Sequence, residues 1–141
     1  MVTGTVPDVR PYLRGARALV VPLRVGGGTR LKILEAFAAR VPVVSTRIGA
    51  EGIDCQAGRE ILFAETPGEF AVALSRLEAD ASLRQGLVER ASILARRYSW
   101  DVIGRDLVRL YEPAPERETP TSPRWSAPAE APSVRSTRSR V

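Results

Sequence analysis

The residues of this chain that could do chemistry are concentrated in one stretch, Gly26-Gly27-Gly28-Thr29-Arg30-Leu31-Lys32-Ile33-Leu34-Glu35. Glycines allow positive φ and let a ligand approach the backbone closely. A helix that begins just after them presents unpaired N–H groups and the positive end of its dipole, which together attract an anion. Arg30 and Lys32 add full positive charges near that helix start. Phosphate or pyrophosphate is the natural occupant. On the physics alone, a plain flexible connection fits the glycines equally well. A P-loop would need GxxxxGK followed by Ser or Thr, and Leu31-Lys32-Ile33 does not supply it. The dinucleotide GxGxxG pattern is absent as well.

Glu35 stands in an apolar helical run, between Ile33-Leu34 and Ala36-Phe37-Ala38-Ala39. A carboxylate there is expensive unless it is paired or bound to something. Lys32, three residues earlier, can share its face and form a local pair. Alternatively the carboxylate accepts hydrogen bonds from two hydroxyls, as a ribose diol offers.

Other chemistries are excluded by composition. The chain has no histidine, so imidazole bases, Ser-His-Asp triads and His-ligated metals cannot arise within it. Its one cysteine, Cys55, forms no intrachain disulfide and argues against a structural zinc site. It reads as a partly buried thiol, in keeping with a reducing compartment. The net charge of +5 favours anionic ligands or membrane headgroups. No run approaches the ~20 apolar residues of a membrane span. The N-terminus MVTGTVPDVR lacks the basic region and apolar core of a signal peptide.

The elements that must position these residues follow from the pattern. Val2 to Val6 is a short β-branched run, read as a strand or strand end. Asp8 caps a short helix over Val9 to Leu13, stopped by Gly15. Ala18 to Val21 is a continuous apolar run, suited to a strand covered on both faces of a parallel sheet. A helix is predicted from about Thr29 to Arg40. Pro42 to Ser45 and Ile61 to Ala64 are further buried strands, with a glycine-rich loop from Gly49 to Gly58 between them. Thr66-Pro67-Gly68-Glu69 has the form of a capping box with proline at the first helical position, followed by Phe70, Leu74 and Leu77 at helical spacing. Asp80 caps a helix carrying Leu83, Leu87, Ala91, Leu94 and Tyr98. Ser99 caps a last one carrying Ile103, Leu107, Leu110 and Tyr111. The fold class is α/β: an open parallel sheet with right-handed crossovers, and C-terminal helices packed against it. Three short strands are few for a doubly wound domain, and the chain begins almost inside a strand. It reads as the second half of a nucleotide-binding domain whose first half is missing. Residues 1–112 form this partial domain. Residues 113–141 are rich in Pro, Ser, Thr, Arg and Glu and are expected to be disordered. RWSAPAEAPSVRSTRSRV could hold nucleic acid or anionic lipid, but its arginines are spaced out among glutamates and read better as a solvated tail; no nucleic-acid partner is expected.

PLRVGGGTRLKILEAFAARVPVVSTRIGAEGI, preceded by VTGTVPDVRPYLRGARALVVP and followed later by YSWDVIGRDLVRLY, resembles the donor-binding segment of GT-B fold glycosyltransferases. The resemblance is to the family-4 (group 1) retaining enzymes and runs from about Val2 to Tyr111. It implies two Rossmann-like domains facing across a cleft, of which this chain is part of the C-terminal one. The implied donor is a nucleotide-activated sugar, UDP- or GDP-linked. Its diphosphate would rest on Gly27, Gly28, Thr29, Arg30 and Leu31, with Lys32 beside it, and its ribose on Glu35, the second glutamate of the family's E-x7-E motif. The implied reaction transfers the sugar to an acceptor hydroxyl with retention of configuration, on a glycan, a lipid-linked or a small-molecule acceptor. No metal or other cofactor is expected, because positive side chains and the helix dipole stabilise the leaving diphosphate. The implied location is cytoplasmic, with peripheral attachment at the inner membrane face in some members.

Two departures qualify the resemblance. The motif's first glutamate falls on Gly27, so one side-chain contact to the donor sugar is lost. The family's basic pair on the diphosphate, and the acceptor domain, lie upstream of the segment present here. No catalytic residue is therefore assigned, and the segment by itself is expected to be inactive. The rival expectation is a non-catalytic nucleotide-binding module, or half of an enzyme completed by a partner chain. Glu51, in Ala50-Glu51-Gly52-Ile53, could touch donor or acceptor, but reads more plainly as a solvated loop carboxylate. Trp100 reads as packing at a helix start; in the family the final helix crosses to the other domain, which would give Trp100 and Tyr111 a partner there.

Overall fold

The computed structural model describes residues 2–111 of the chain; the tail expected to be disordered lies outside them. The order is helix α1 (Arg10–Gly15), strand β1 (Leu19–Val21), helix α2 (Leu31–Ala38), strand β2 (Val43–Ser45), strand β3 (Leu62–Phe63), and helices α3 (Pro67–Ala79), α4 (Ala81–Arg96) and α5 (Trp100–Tyr111). A 3-10 turn, Ile48–Ala50, follows β2. The strands form one parallel sheet in the order β1-β2-β3, with Val21 opposite Ser45 and Ser45 opposite Phe63. This is the expected α/β class, a partial Rossmann-like sheet followed by C-terminal helices.

The sheet separates two apolar layers, as the pleat of buried strands requires. Val21, Val43 and Ile61 cluster with Ile33 and Phe37 of α2 and with Ala91 and Leu94 of α4. Their chain neighbours Val44 and Leu62 belong to the opposite layer, with Ala73 and Leu77 of α3 and with Leu87. Phe37 and Ile33 are fully buried, and each such side chain contributes about 1.5–3 kcal/mol.

Caps set the helix ends. Thr66 Oγ1 accepts from the Glu69 N–H at 3.3 Å. Glu69 Oε2 reaches back to the Glu65 N–H at 2.7 Å, one residue before the cap. Asp80 ends α3 and starts α4, its Oδ1 accepting from the Leu83 N–H at 2.8 Å. Ser99 Oγ accepts from the Val102 N–H at 3.4 Å. The N-cap position of α1 is Val9, not Asp8 as expected; Asp8 Oδ1, one residue earlier, accepts from the Arg10 N–H at 2.9 Å. Helix α2 stops because Arg40 adopts φ of 61° and Val41 N–H bonds back to the Ala36 carbonyl at 2.8 Å.

Three further expectations are corrected. Val2 to Val6 is irregular and largely exposed, not a strand: β propensity needs a ladder partner, and among the described residues β1 pairs only with β2. The apolar residues of α5 do not pack on the sheet; no residue of α5 is buried. Both sheet faces are already covered, by α2 and α4 on one side and α3 on the other. Trp100 is 82% exposed rather than packed at the helix start.

Candidate functional site

Parallel strands deliver their carboxyl ends to one edge of a sheet. There β1 runs through Pro22 to Val25 into the glycines, and β2 runs through Thr46 into the 3-10 turn. This is the edge at which open α/β sheets take ligands. Small polar residues tie the two ends together. Thr46 N–H donates to the Val21 carbonyl at 3.1 Å, extending the ladder one residue past β2. Thr46 Oγ1 donates to the Leu23 carbonyl and accepts from the Gly49 N–H at 2.9 Å. Ser45 Oγ sits by the Val21 and Thr46 carbonyls at 3.3 and 2.9 Å. Both side chains are buried, so these bonds are made where an unpaired hydroxyl would be costly. Gly49 is needed for space: a Cβ on it would lie 2.4 Å from Ser45 Oγ and 2.9 Å from the Val21 carbonyl oxygen.

Above this floor lies the glycine loop. Gly26, Gly27, Gly28 and Thr29 are exposed. Gly28 has φ of 84°, a conformation that favours glycine. Among the described residues, the N–H groups of Gly27, Gly28 and Thr29 donate to no other backbone group. They precede α2, whose first N–H groups lack intrahelical partners as in any helix.

Arg30 does not project outward as its sequence position suggested. Its side chain is 5% exposed. Nη1 donates to the Gly27 carbonyl at 3.0 Å, and Nη2 to the carbonyls of Gly26 at 3.0 Å and Ile48 at 2.9 Å. Glu51 Oε2 lies 3.6 Å from Nη2, at the exposed end of the group. Arg30 Nε is buried without a partner. Glu51 is thus a largely solvated carboxylate with one cationic neighbour.

Lys32 and Glu35 are exposed on α2, while Ile33, Ala36 and Phe37 face the core. Glu35 therefore carries no burial cost, contrary to the expectation of a carboxylate trapped in an apolar run. Among the described residues it forms no ion pair with Lys32. Leu31 is half exposed at the helix start. The loop and Lys32 lie at the start of α2, and Glu35 is exposed about one helical turn further along it.

Ser45, Thr46 and Gly49 were not singled out from the sequence. Their signal is the change from Val43-Val44 to Ser45-Thr46 at a strand end, followed by glycine three residues on. Cys55 is half-buried, and burial, with Glu60 nearby, pushes its thiol pKa up, which suits an inert thiol. Among the described residues no group of three His, Cys, Asp or Glu side chains could hold a metal. No described helix is long and apolar enough to cross a membrane. A cleft of about 710 Å³ lies near the amino ends of β1 and β2, beside Ala18, Arg40 and Pro42, away from the glycine loop.

Comparison with known proteins gives the family of the chain. A family model described as "Glycosyl transferases group 1" matches residues 1–80, more than half of the chain. A D-inositol 3-phosphate glycosyltransferase of Corynebacterium urealyticum is 38% identical over 102 residues, which cover 71% of this chain and 23% of that protein. A phosphatidyl-myo-inositol mannosyltransferase of Mycolicibacterium smegmatis is 33% identical over 103 residues, covering 71% of this chain and 26% of that protein. The chain spans about a quarter of the length of these curated relatives. With its glycine loop and parallel sheet inside the matched span, the chain belongs to the group 1 glycosyltransferases.

Proposed function

We propose that this chain supplies the donor side of a glycosyl transfer, holding the diphosphate and ribose of a UDP- or GDP-sugar. The observation that carries this reading is the glycine loop with unpaired N–H groups at the carboxyl edge of a parallel sheet, with an exposed carboxylate one helical turn further on. The diphosphate takes the N–H groups of Gly27, Gly28, Thr29, Arg30 and Leu31, with the Lys32 ammonium beside it. Glu35 lies four residues beyond Leu31, about 6 Å along the helix axis, a distance on the scale between a nucleotide's diphosphate and its ribose diol. As the glycosidic bond to the diphosphate breaks, negative charge grows on the leaving oxygens. Preorganised N–H dipoles and Lys32 stabilise it more than the ground state, which is how such a site lowers a barrier. No step requires a metal in this scheme.

The sugar passes to an acceptor hydroxyl, with retention of configuration, in a GT-B arrangement of the family-4 kind. The names of the relatives favour a polyol or lipid-linked acceptor, and a cytoplasmic, membrane-peripheral location goes with it. A reacting hydroxyl must be held at the anomeric carbon. That wall belongs to an N-terminal domain or partner chain, and the segment alone is inactive. The second reading is a nucleotide-binding or partner-completed interaction module. It draws on β1 as an edge strand whose Val20 is 40% exposed. Self-association by the isolated chain in sedimentation measurements favours it.

The test is calorimetry with UDP, GDP and pyrophosphate on the wild type and on Glu35→Ala. Loss of hydrogen bonds to a charged group predicts about a 10- to 100-fold weakening for the nucleotides, with pyrophosphate binding nearly unchanged. Equal losses for nucleotide and pyrophosphate would sink the ribose role.

A further inference from the structure

We infer that Arg30 is a positioning residue for the anion site, aiming the N–H groups of Gly27 and Gly28 outward rather than touching the diphosphate itself. The inference rests on the donor-site reading for its ligand, but its geometry stands on the loop alone. In a trans peptide the C=O of one residue and the N–H of the next point in opposite directions. The described peptides contain no cis bond. Arg30 holds the Gly26 carbonyl through Nη2 and the Gly27 carbonyl through Nη1, both at 3.0 Å. The N–H groups of Gly27 and Gly28 therefore face away from the guanidinium. The guanidinium is buried and both glycines are exposed, so away means toward solvent.

The fork matters as much as the charge. Guanidinium donors lie in a fixed plane and reach acceptors on different sides at once. Here they span two consecutive loop carbonyls and the Ile48 carbonyl, which lies on the far strand connection. The loop after β1 is thereby fastened to the turn after β2. An ammonium, a point charge on a flexible stem, cannot hold three such carbonyls in one plane. With the loop released, each glycine peptide can flip, and an incoming anion must then order it.

The experiment combines Arg30→Lys with amide and guanidinium nuclear magnetic resonance on the whole chain. The expected result is that Arg30→Lys shifts and sharpens the Gly27 and Gly28 amide signals. It also weakens pyrophosphate and UDP binding about tenfold, with the salt dependence of binding unchanged because no charge was lost from the contact. In the wild type, the Arg30 guanidinium resonances stay put on titration with pyrophosphate while the glycine amides move. Retained affinity in Arg30→Lys with unaltered amides would overturn the inference. So would guanidinium resonances that move with pyrophosphate, which would make Arg30 a direct ligand; this wild-type measurement decides the matter even if Arg30→Lys does not fold. If the wild type binds neither pyrophosphate nor UDP, the donor-site reading fails, while the clamp still stands or falls on the amide signals of Arg30→Lys.

Discussion

Replacing Gly49 by alanine tests the floor of the site directly. The new Cβ would lie 2.4 Å from Ser45 Oγ, 2.9 Å from the Val21 carbonyl oxygen and 3.0 Å from Thr46 Oγ1. The carbonyl belongs to β1 and cannot retreat without disturbing its ladder to β2. Ser45 can turn away only by giving up its bonds to the Val21 and Thr46 carbonyls, in a place sealed from water. Overpacking costs about 1–3 kcal/mol, and a buried hydroxyl left unpaired about 1–3 kcal/mol more. The sum, about 2–6 kcal/mol, is a large part of the ~5–15 kcal/mol by which small domains are stable. For a domain of this size it lowers the melting midpoint by roughly 10 °C or more. The assay is thermal unfolding followed by circular dichroism, with Gly27→Ala as the comparison. An alanine Cβ at Gly27 meets nothing within 4 Å, and the site needs no left-handed φ. Gly27→Ala should therefore melt close to the wild type. A Gly49→Ala protein that melts within about 2 °C of the wild type would refute the packing argument.

Three further outcomes follow from other parts of the structure. Asp80→Ala removes the side-chain cap of α4 and should cost about 1 kcal/mol, read as a fall of several degrees in the melting midpoint. Cys55 should alkylate with iodoacetamide more slowly than a small thiol at the same pH, because burial and Glu60 hold its pKa above the ordinary value of 9.0. The raised pKa means the folded chain keeps the thiol proton longer than the unfolded chain does. The corresponding stability is complete below the ordinary thiol range and is lost as pH rises through and beyond it. Melting midpoints of the wild type should thus fall relative to Cys55→Ser as pH is raised from 8 towards 10, and parallel curves would refute this.

Most of the secondary structure was legible because its causes are local. Ala18 to Val21, Val43-Val44 and Ile61 to Ala64 are short continuous apolar runs, and each supplies a parallel strand, although β1 is not covered on both faces as expected: it is an edge strand and Val20 stays exposed. Thr66, Asp80 and Ser99 announce helix starts by side chains that reach their own backbone three residues on. The glycines before α2 likewise announce a loop at a strand end, whatever fills it. Glu35 was misjudged by its apolar neighbours in sequence, since the helical period carries it to the exposed face while Ile33, Ala36 and Phe37 turn inward.

The sequence by itself determined the elements, their order and the place of the glycine loop, because propensity, caps and hydrophobic period act within a few residues. The tertiary structure alone decided which way Arg30 turns, because one of its acceptors is the Ile48 carbonyl, 18 residues away on another strand's connection. It alone revealed why Gly49 must be glycine, since the obstructing atoms come from two different strands. It also decided that Val2 to Val6 is no strand and that no residue of α5 is buried among the described residues, for strand pairing and burial depend on what lies opposite, which no local pattern contains.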